Sequence, residues 1–337
     1  MSEPPIAPGA DPLAKLGDAA AAVCNNIINS VAGAIGITYD DLIIVARARR
    51  QATAKGLLTT AGTDAKVHRI ATLAQIESEA DVAAALQREQ LEERAQRRLL
   101  SGATRHQDNI EAIVVEALDR VIERSGEGKV VQPASEPSAD WMAEFIDMCK
   151  NASDAKMRTL WGRVLAGEAQ QPGSFSIRSL LSLRTLLADE AEQFGLAVNL
   201  CLNRHVIFRG NDSTAAVPFG VSYGNFLVLS AAGLLAPAAD AGLTLGNAGE
   251  VVVIHYEPYL LVFKRSAYPF VPMHFPIWSL SAVGRELATL ISVEHNWDYV
   301  RRFVAHQKPA GWELDVIVTP NGFPAPSADL PTQLTKK

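Results

Sequence analysis

The sequence is poor in cysteine and lacks the short motifs that mark common metal, nucleotide and dinucleotide sites. Its three cysteines, Cys24, Cys149 and Cys201, are too few and too widely spaced for a disulfide framework or for a structural zinc site, which needs about four clustered ligands. No HExxH, P-loop or G-x-G-x-x-G pattern occurs in the 337 residues. We therefore predict no metal and no cofactor, and free thiols in a reducing compartment.

The sequence also has neither a strong net charge nor a secretory leader. Its 31 basic and 37 acidic residues give a formal charge of −6, which provides no general attraction to nucleic acid. The first residues, MSEPPIAPGADP, contain no basic region ahead of an apolar run, so we expect no signal peptide. An apolar fraction of 48% with 20% charged residues is typical of a globular protein. These features predict a cytoplasmic protein.

One uncharged run, residues 19–39, has the length that a bilayer span requires. Its three asparagines and its abundance of Ala and Gly argue against a span. The small-residue spacing from Ala32 to Gly36 and the basic residues at 47–55 favour membrane contact. We predict a helix that packs against its own protein or a copy of it. The alternatives are contact with the inner-membrane surface through residues 19–55, and a true span.

Residues 64–100 are rich in Ala, Glu, Gln and Arg, a composition that favours helix. They show no clean heptad register, so we predict a long solvated helix rather than a strong coiled coil. Its charges are interleaved, which indicates an exposed and internally paired face rather than a nucleic-acid site. After Ser101 and Gly102, an apolar stripe predicts a second, packed helix. The interleaved charges of the long helix are a basic cluster, Arg94, Arg97, Arg98 and Arg105, and the acidic residues Glu89, Glu92 and Glu93.

The centre of the chain, residues 140–194, reads as packed helices. Ser153 or Asp154 lies where a helix N-cap is expected, and Gly167 lies where that helix would end. The turn at 172–175 followed by Ser176 predicts the start of the next helix. The first helix carries apolar side chains at helical spacing on one face, and these are Met157, Leu160, Trp161, Val164 and Leu165.

Beyond residue 206 the pattern changes from helix to a mixture. Residues 251–254 and 259–263 are β-branched or aromatic runs that predict a hairpin, and residues 312–318 alternate like a half-buried strand. Helices are expected near 224–235, 281–291 and 296–307. Together with the preceding helix, which we extend to His205, this predicts a mainly α fold with a small, winged-helix-like C-terminal α+β unit.

The predicted divisions follow these changes of pattern. They are a flexible tail at 1–12, a long-helix region at 13–125, a linker at 126–139, a central helical core at 140–205, a small α+β unit at 206–320 and a flexible tail at 321–337.

One match to a catalytic motif lies at residues 220–224, where GVSYG fits the G-x-S-x-G nucleophile elbow around Ser222. Asp240 or Asp298 with His306 would supply the other triad members in the expected order. The stretch before it contains Pro218 and offers no parallel strands, so the favoured interpretation is a helix N-terminus capped by Ser222.

A second pair, His255 and Glu257, forms an H-x-E pattern without the P-C-x-x-C partner of zinc deaminases. We expect both residues to be structural. The sequence thus predicts no catalytic, cofactor-binding or metal-binding residue.

Four segments resemble a known bacterial family. They are RHQDNIEAI, DWMAEFIDMCKNASD, LWGRVLAGE and PGSFSIRSL, in this order along the chain. They are similar to the family catalogued as domain of unknown function 2806, over about residues 100–200, with weaker similarity at 32–55 and 279–290. That family implies no activity and no catalytic residues. LWGRVLAGE is also similar to a helix of abortive-infection alpha proteins, which implies a phage-defence setting.

These observations favour a non-enzymatic helical protein that works by association: with itself as an oligomer, with a protein partner, or with a membrane surface, in a phage-related or defence setting. The long Ala/Glu/Arg helix would supply the association surface. The alternative is a winged-helix-like nucleic-acid binder in which Lys264, Arg265 and Arg285 face phosphate. A serine hydrolase that uses Ser222 is the third and least favoured hypothesis.

Overall fold

The computed structural model describes residues 16–35, 79–128, 130, 133, 135–238, 241–245, 251–265, 272–318 and 324–326. The predicted tail at 1–12, the basic residues at 47–55, most of the predicted tail at 321–337 and Asp240 lie outside the described residues. Contacts divide the chain into a helical unit, Met1–Ser174, and an α+β unit, Phe175–Lys337. The division falls inside the predicted helical core at 140–205, so those helices contribute to both units.

The described part of the helical unit contains four helices. They are α1 (Asp18–Ile35), α2 (Glu79–Gly126), α3 (Ala139–Cys149) and α4 (Ala155–Gln170). Residues 19–35 of the uncharged run lie in α1, which packs on the other three helices and buries apolar residues that include Val23, Ile27 and Val31. Among the described residues, no helix combines the length and apolarity needed to cross a membrane. The apolar face of α1 is therefore already covered by protein.

Helix α2 is continuous over 48 residues, so the predicted break at Ser101 and Gly102 is wrong. One helical glycine costs only about 1 kcal/mol, which the strong helix formers on both sides outweigh. The predicted stripe is buried at Ile110, Ile113 and Ala117. Opposite it, a Cβ on Gly162 of α4 would lie 2.6 Å from Cβ of Glu116, so the absence of a side chain permits the close crossing of α2 and α4.

The predicted start of α4 agrees with the structure, whereas its predicted end does not. Ser138 caps α3, and Oδ1 of Asp154 accepts the Met157 N–H at 3.1 Å, as predicted for the α4 start. The predicted end at Gly167 is wrong, because α4 continues to Gln170. The buried carboxylate of Glu168 accepts the Gly173 N–H at 2.7 Å and so fastens the turn that follows α4.

The α+β unit contains five helices in its described part. They are α5 (Ile177–Thr185), α6 (Ala188–Asn199), α7 (Tyr223–Ala231), α8 (Ala282–Ala288) and α9 (Trp297–Gln307). The strands are β1 (Cys201–Leu202), β2 (Val206–Phe208), β3 (Gly242–Leu245), β4 (Val251–Tyr256), β5 (Tyr259–Arg265), β6 (Met273–Ser279), β7 (Trp312–Val318) and β8 (Pro324–Pro326). They form two four-stranded antiparallel sheets, ordered β1-β2-β6-β3 and β4-β5-β7-β8.

The prediction of a mainly α fold with a small winged-helix-like unit is therefore wrong. A winged helix does not contain two four-stranded sheets. None of the strands of the first sheet, β1-β2-β6-β3, was predicted from the sequence. Its strands β1 and β2 are too short to show alternation, and Pro276 interrupts the pattern of β6. The helix that we extended to His205 ends at Asn199, where the chain turns into β1.

The elements with strong local signals match their predictions. The β4–β5 hairpin pairs from Val251 with Lys264 to Tyr256 with Tyr259, and β7 pairs with β5. Ser281 caps α8 and Asn296 caps α9.

Phe208 lies in the core of the unit, where its backbone N–H donates to Oη of Tyr299 at 2.6 Å. This core holds α9 against the first sheet.

Candidate functional site

The N-terminal half of α2 is a helix with an exposed apolar face. All residues from 87 to 101 are exposed, and we call this stretch the exposed segment. Its leucines Leu91, Leu99 and Leu100 are 60%, 72% and 70% exposed. Leu99 lies about five helical turns before Ala117 and hence on the same face as that buried residue. The apolar stripe that is buried farther along α2 thus continues, uncovered, into the exposed segment.

The charges of the exposed segment change sign along the helix axis. Glu89, Glu92 and Glu93 precede Arg94, Arg97 and Arg98, so the first half is net acidic, even with Arg88, and the second half is basic. Nη2 of Arg97 contacts Oε2 of Glu93 at 3.2 Å, and both side chains are well exposed. A solvated pair of this kind contributes only a few tenths of a kcal/mol. Most of the charge therefore remains available to a neighbouring molecule.

Ser222, the candidate nucleophile, is a helix cap. Its Oγ accepts the Asn225 N–H at 3.3 Å and donates to Oδ1 of Asn225, and the Ser222 N–H donates to the same oxygen at 2.8 Å. A 3-10 turn, Val217–Phe219, precedes it instead of a strand. The capping interpretation is confirmed. This arrangement gives the hydrolase hypothesis no support.

Replacing Ser222 with alanine is expected to destabilise α7 by about 1 kcal/mol, because the cap of its free N–H groups is lost. Hydrogen exchange of peptides over 223–231 measures the change. Ser222→Thr keeps a hydroxyl at the cap and should retain most of the protection. Equal exchange in the alanine variant and the parent would contradict the capping role.

The other triad candidates are engaged elsewhere. Asp298 forms an ion pair with Arg301 within α9, with Nη1 and Oδ1 2.5 Å apart. The ring of His306 packs on Phe208 at a centroid distance of 4.8 Å, and partial burial lowers the pKa of this histidine. His306 lines an open depression of about 550 Å³ that Asp212 also borders. Hydrogen bonds from Thr214 lower the pKa of the Asp212 carboxyl, so a local turn already uses this group.

A deeper cleft of about 480 Å³ lies within the α+β unit, which we call the arginine cleft. It brings together Glu257 and Arg285, which the sequence had offered for two unrelated sites, and adds Arg204. Nε of Arg204 donates to Oε1 of Glu257 at 2.7 Å. Lys264, by contrast, pairs with Asp315 at 2.8 Å, and the Arg265 guanidinium lies over the ring of Trp312, so Arg285 is the one residue of that predicted phosphate-facing set that lines this cleft.

The remaining polar groups of the arginine cleft are held neutral. Burial raises the pKa of the Cys201 thiol to about 12, and burial also raises the pKa of Tyr256 to about 12. Oη of Tyr256 donates to the Asn199 carbonyl at 3.0 Å and accepts the Asn296 N–H at 2.7 Å. These two groups therefore supply no activated nucleophile at neutral pH.

Metal ligation receives no support from the described chain. Across the described ranges, no group of three His, Cys, Asp or Glu side chains is placed to hold a metal ion. His255 of the H-x-E pair lies on the exposed face of β4, with Nδ1 3.8 Å from Oε1 of Glu257.

Sequence reasoning missed Arg204, Tyr256 and Val198 as cleft residues. They come from three segments that are distant in sequence, namely the end of α6, the β1–β2 turn and the end of β4. One local signal existed, because an asparagine in a short connection between two apolar runs is typical of a hairpin turn. Between the paired Leu202 and Val206, Asn203 and Arg204 have positive φ, +48° and +67°.

The chain thus consists of a helical unit followed by an α+β unit with two antiparallel sheets. The sequence profile of one family, described as "Protein of unknown function (DUF2806)", matches residues 93–304, which is more than half of the chain. The chain belongs to this family, as the resemblance implied. No curated protein and no solved structure matched it.

Proposed function

We propose that the protein acts by self-association through the exposed segment of α2, and not as an enzyme. The observation that carries this proposal is the continuation of one apolar stripe from the buried half of α2 into residues 87–101, where Leu91 and Leu99 are left in solvent. Leucines in such a stripe are normally covered, since each buried leucine contributes about 1.5–3 kcal/mol. A second copy presents an identical stripe and can cover it.

The charge pattern favours an antiparallel arrangement of the two helices. A parallel pair would set the acidic half beside the acidic half of its partner, and the basic half beside the basic half. An antiparallel pair centred near Ala95, where the sign changes, sets each acidic half beside a basic half. It also brings Leu91 of one copy to the level of Leu99 of the other.

The double variant Leu91→Glu/Leu99→Glu tests the proposal. We expect the parent to form dimers at micromolar concentration in sedimentation velocity, and the variant to remain monomeric, because two charges would be buried in the interface. Leu187→Glu is the matched control, since Leu187 is 64% exposed on a different element and its replacement should leave the dimer intact. A monomeric parent, or a dimeric double variant, would overturn the proposal.

Disulfide trapping distinguishes the two orientations. In an antiparallel pair, a mixture of Leu91→Cys and Leu99→Cys chains should cross-link efficiently, whereas Leu91→Cys alone should not. In that arrangement, position 91 of one copy and position 91 of the other would be about 12 Å apart along the helix axis. Cross-linking of Leu91→Cys with itself, and not of the mixture, would show a parallel pair.

The setting of this association is the second part of the proposal. The similarity of LWGRVLAGE to abortive-infection alpha proteins supports a role against phage. We expect phage to plate less efficiently on cells that express the protein, and the Leu91→Glu/Leu99→Glu variant to restore plating. Equal plating on cells with and without the protein, over a panel of phages, would count against this setting.

A further inference from the structure

We propose that the arginine cleft of the α+β unit binds a small amphipathic monocarboxylate, with an apolar chain in the cleft and the carboxylate on Arg285. This inference is independent of self-association. The cleft volume of about 480 Å³ falls within the range of about 300–1,000 Å³ that is usual for small-molecule sites.

The walls of the cleft are apolar. Val198 comes from the end of α6, and Ala288, Ile291 and Val293 come from α8 and the segment after it. Val293 is 38% exposed, so a hydrocarbon that covers it would remove apolar surface from water. The walls therefore suit an alkyl chain better than a sugar or a nucleotide base.

The charges at the rim favour one negative charge on the ligand. Arg204, Glu257 and Arg285 are the charged residues of the lining. Glu257 neutralises Arg204 through their 2.7 Å contact. In the part of the chain that the structure describes, Arg285 forms no ion pair. A guanidinium presents a planar fork of donors that fits a carboxylate, and hydrogen bonds between charged groups are the strongest of their kind.

The backbone at Arg204 supports a selected role for this side chain. Position 204 is the second residue of the three-residue β1–β2 turn and has a positive φ, a conformation in which glycine is favoured. An arginine there costs of order 1 kcal/mol, and strain of this kind concentrates at functional sites. The Asn203 N–H donates to the His255 carbonyl at 2.7 Å, and Oδ1 of Asn203 accepts the His255 N–H at 2.9 Å. The turn thereby fixes Arg204 and Glu257 at one edge of the cleft.

Titration calorimetry of the full chain with sodium octanoate tests the proposal, with octanol and acetate as probes that each lack one half of the ligand. We expect saturable binding of octanoate and at least about tenfold weaker binding of octanol and of acetate. Arg285→Gln should weaken octanoate binding about tenfold or more, because the charge-assisted hydrogen bonds are lost. Arg301→Gln is the control and should bind octanoate like the parent, since Arg301 is also exposed but is not a lining residue of the cleft.

A second variant, Thr289→Trp, fills the cleft from its exposed rim and should abolish binding while circular dichroism confirms an unchanged fold. Three results would overturn the proposal: no saturable binding of octanoate by the parent, equal affinity for octanol and octanoate, or unchanged affinity in both Arg285→Gln and Thr289→Trp.

Discussion

Replacement of Trp161 with alanine is expected to lower the free energy of unfolding of the helical unit by about 3–5 kcal/mol. The side chain is 1% exposed and contacts Phe145 edge-on at a centroid distance of 5.5 Å. Phe145 in turn stacks on Trp141 at 5.1 Å, so the indole completes an aromatic cluster between α3 and α4. Its removal leaves a cavity beside Phe145, and a buried cavity adds to the free energy lost with the side chain.

Hydrogen exchange followed by mass spectrometry is the suitable measurement, because a chain with two units need not unfold in a single step. Peptides from α4 should exchange at least about a hundredfold faster in Trp161→Ala than in the parent, and peptides from β5 and β7 should be unchanged. Leu187→Ala, which truncates a side chain that is 64% exposed, should leave both sets of peptides unaffected. Unchanged exchange over α4 in the tryptophan variant would show that Trp161 does not belong to the core.

The helical unit was largely predictable because its signals are local. The face that carries Trp161 follows from the spacing of apolar residues within one helix, and the preference of free N–H groups for a side-chain oxygen narrowed the cap to Ser153 or Asp154. The continuity of α2 was not predictable in the same way. Ser101 and Gly102 are weak helix formers, and their cost must be weighed against the strong helix formers on both sides.

The α+β unit was less predictable because its sheets join distant segments. Strand β6 lies between β2 and β3, pairing Ile207 with Trp278 and Leu243 with Phe275. The residues next to each partner in the sequence contain no signal of this pairing, and Pro276 is a residue that disfavours a central strand. The arginine cleft has the same origin. Arg204 and Arg285 are 81 positions apart in the numbering and meet only because the strand order brings their elements together.

The exposed segment lies between these two cases. Its solvation was predictable from the mixed charges, and its helical state from Ala, Glu and Arg content. What required the structure is the relation between its leucines and the buried stripe of the same helix. A single exposed leucine such as Leu99 is common. Leu99, however, lies on the same face of α2 as Ala117, and the described part of the helical unit buries this face at Ala117 but not at Leu99.

Substitution of Gly284 with alanine is the second change from which we expect a large effect, a loss of about 3 kcal/mol in the stability of the α+β unit. A Cβ on Gly284 would overlap the carbonyl oxygen of Leu234, and this oxygen also accepts the Ser281 N–H at 2.9 Å. Helix α8 has little room to retreat, because Oε2 of Glu286 accepts hydrogen bonds of 2.6 Å from the Ser176 N–H and the Ser179 hydroxyl. Either the helix start or its contact with α5 must give way.

Gly195→Ala in α6 is the matched control, since a Cβ there meets no atom within 4 Å. The same substitution should stabilise α6 by about 0.5–1 kcal/mol, because alanine loses less backbone entropy than glycine in a helix. The urea concentration at the midpoint of unfolding should fall for Gly284→Ala and rise for Gly195→Ala. Hydrogen exchange of peptides from α5 and α8 should be faster in Gly284→Ala than in the parent. If Gly284→Ala were as stable as Gly195→Ala, α8 would not lie against Leu234 as described. The placement of Arg285 in the arginine cleft would then be wrong as well, because Arg285 belongs to α8.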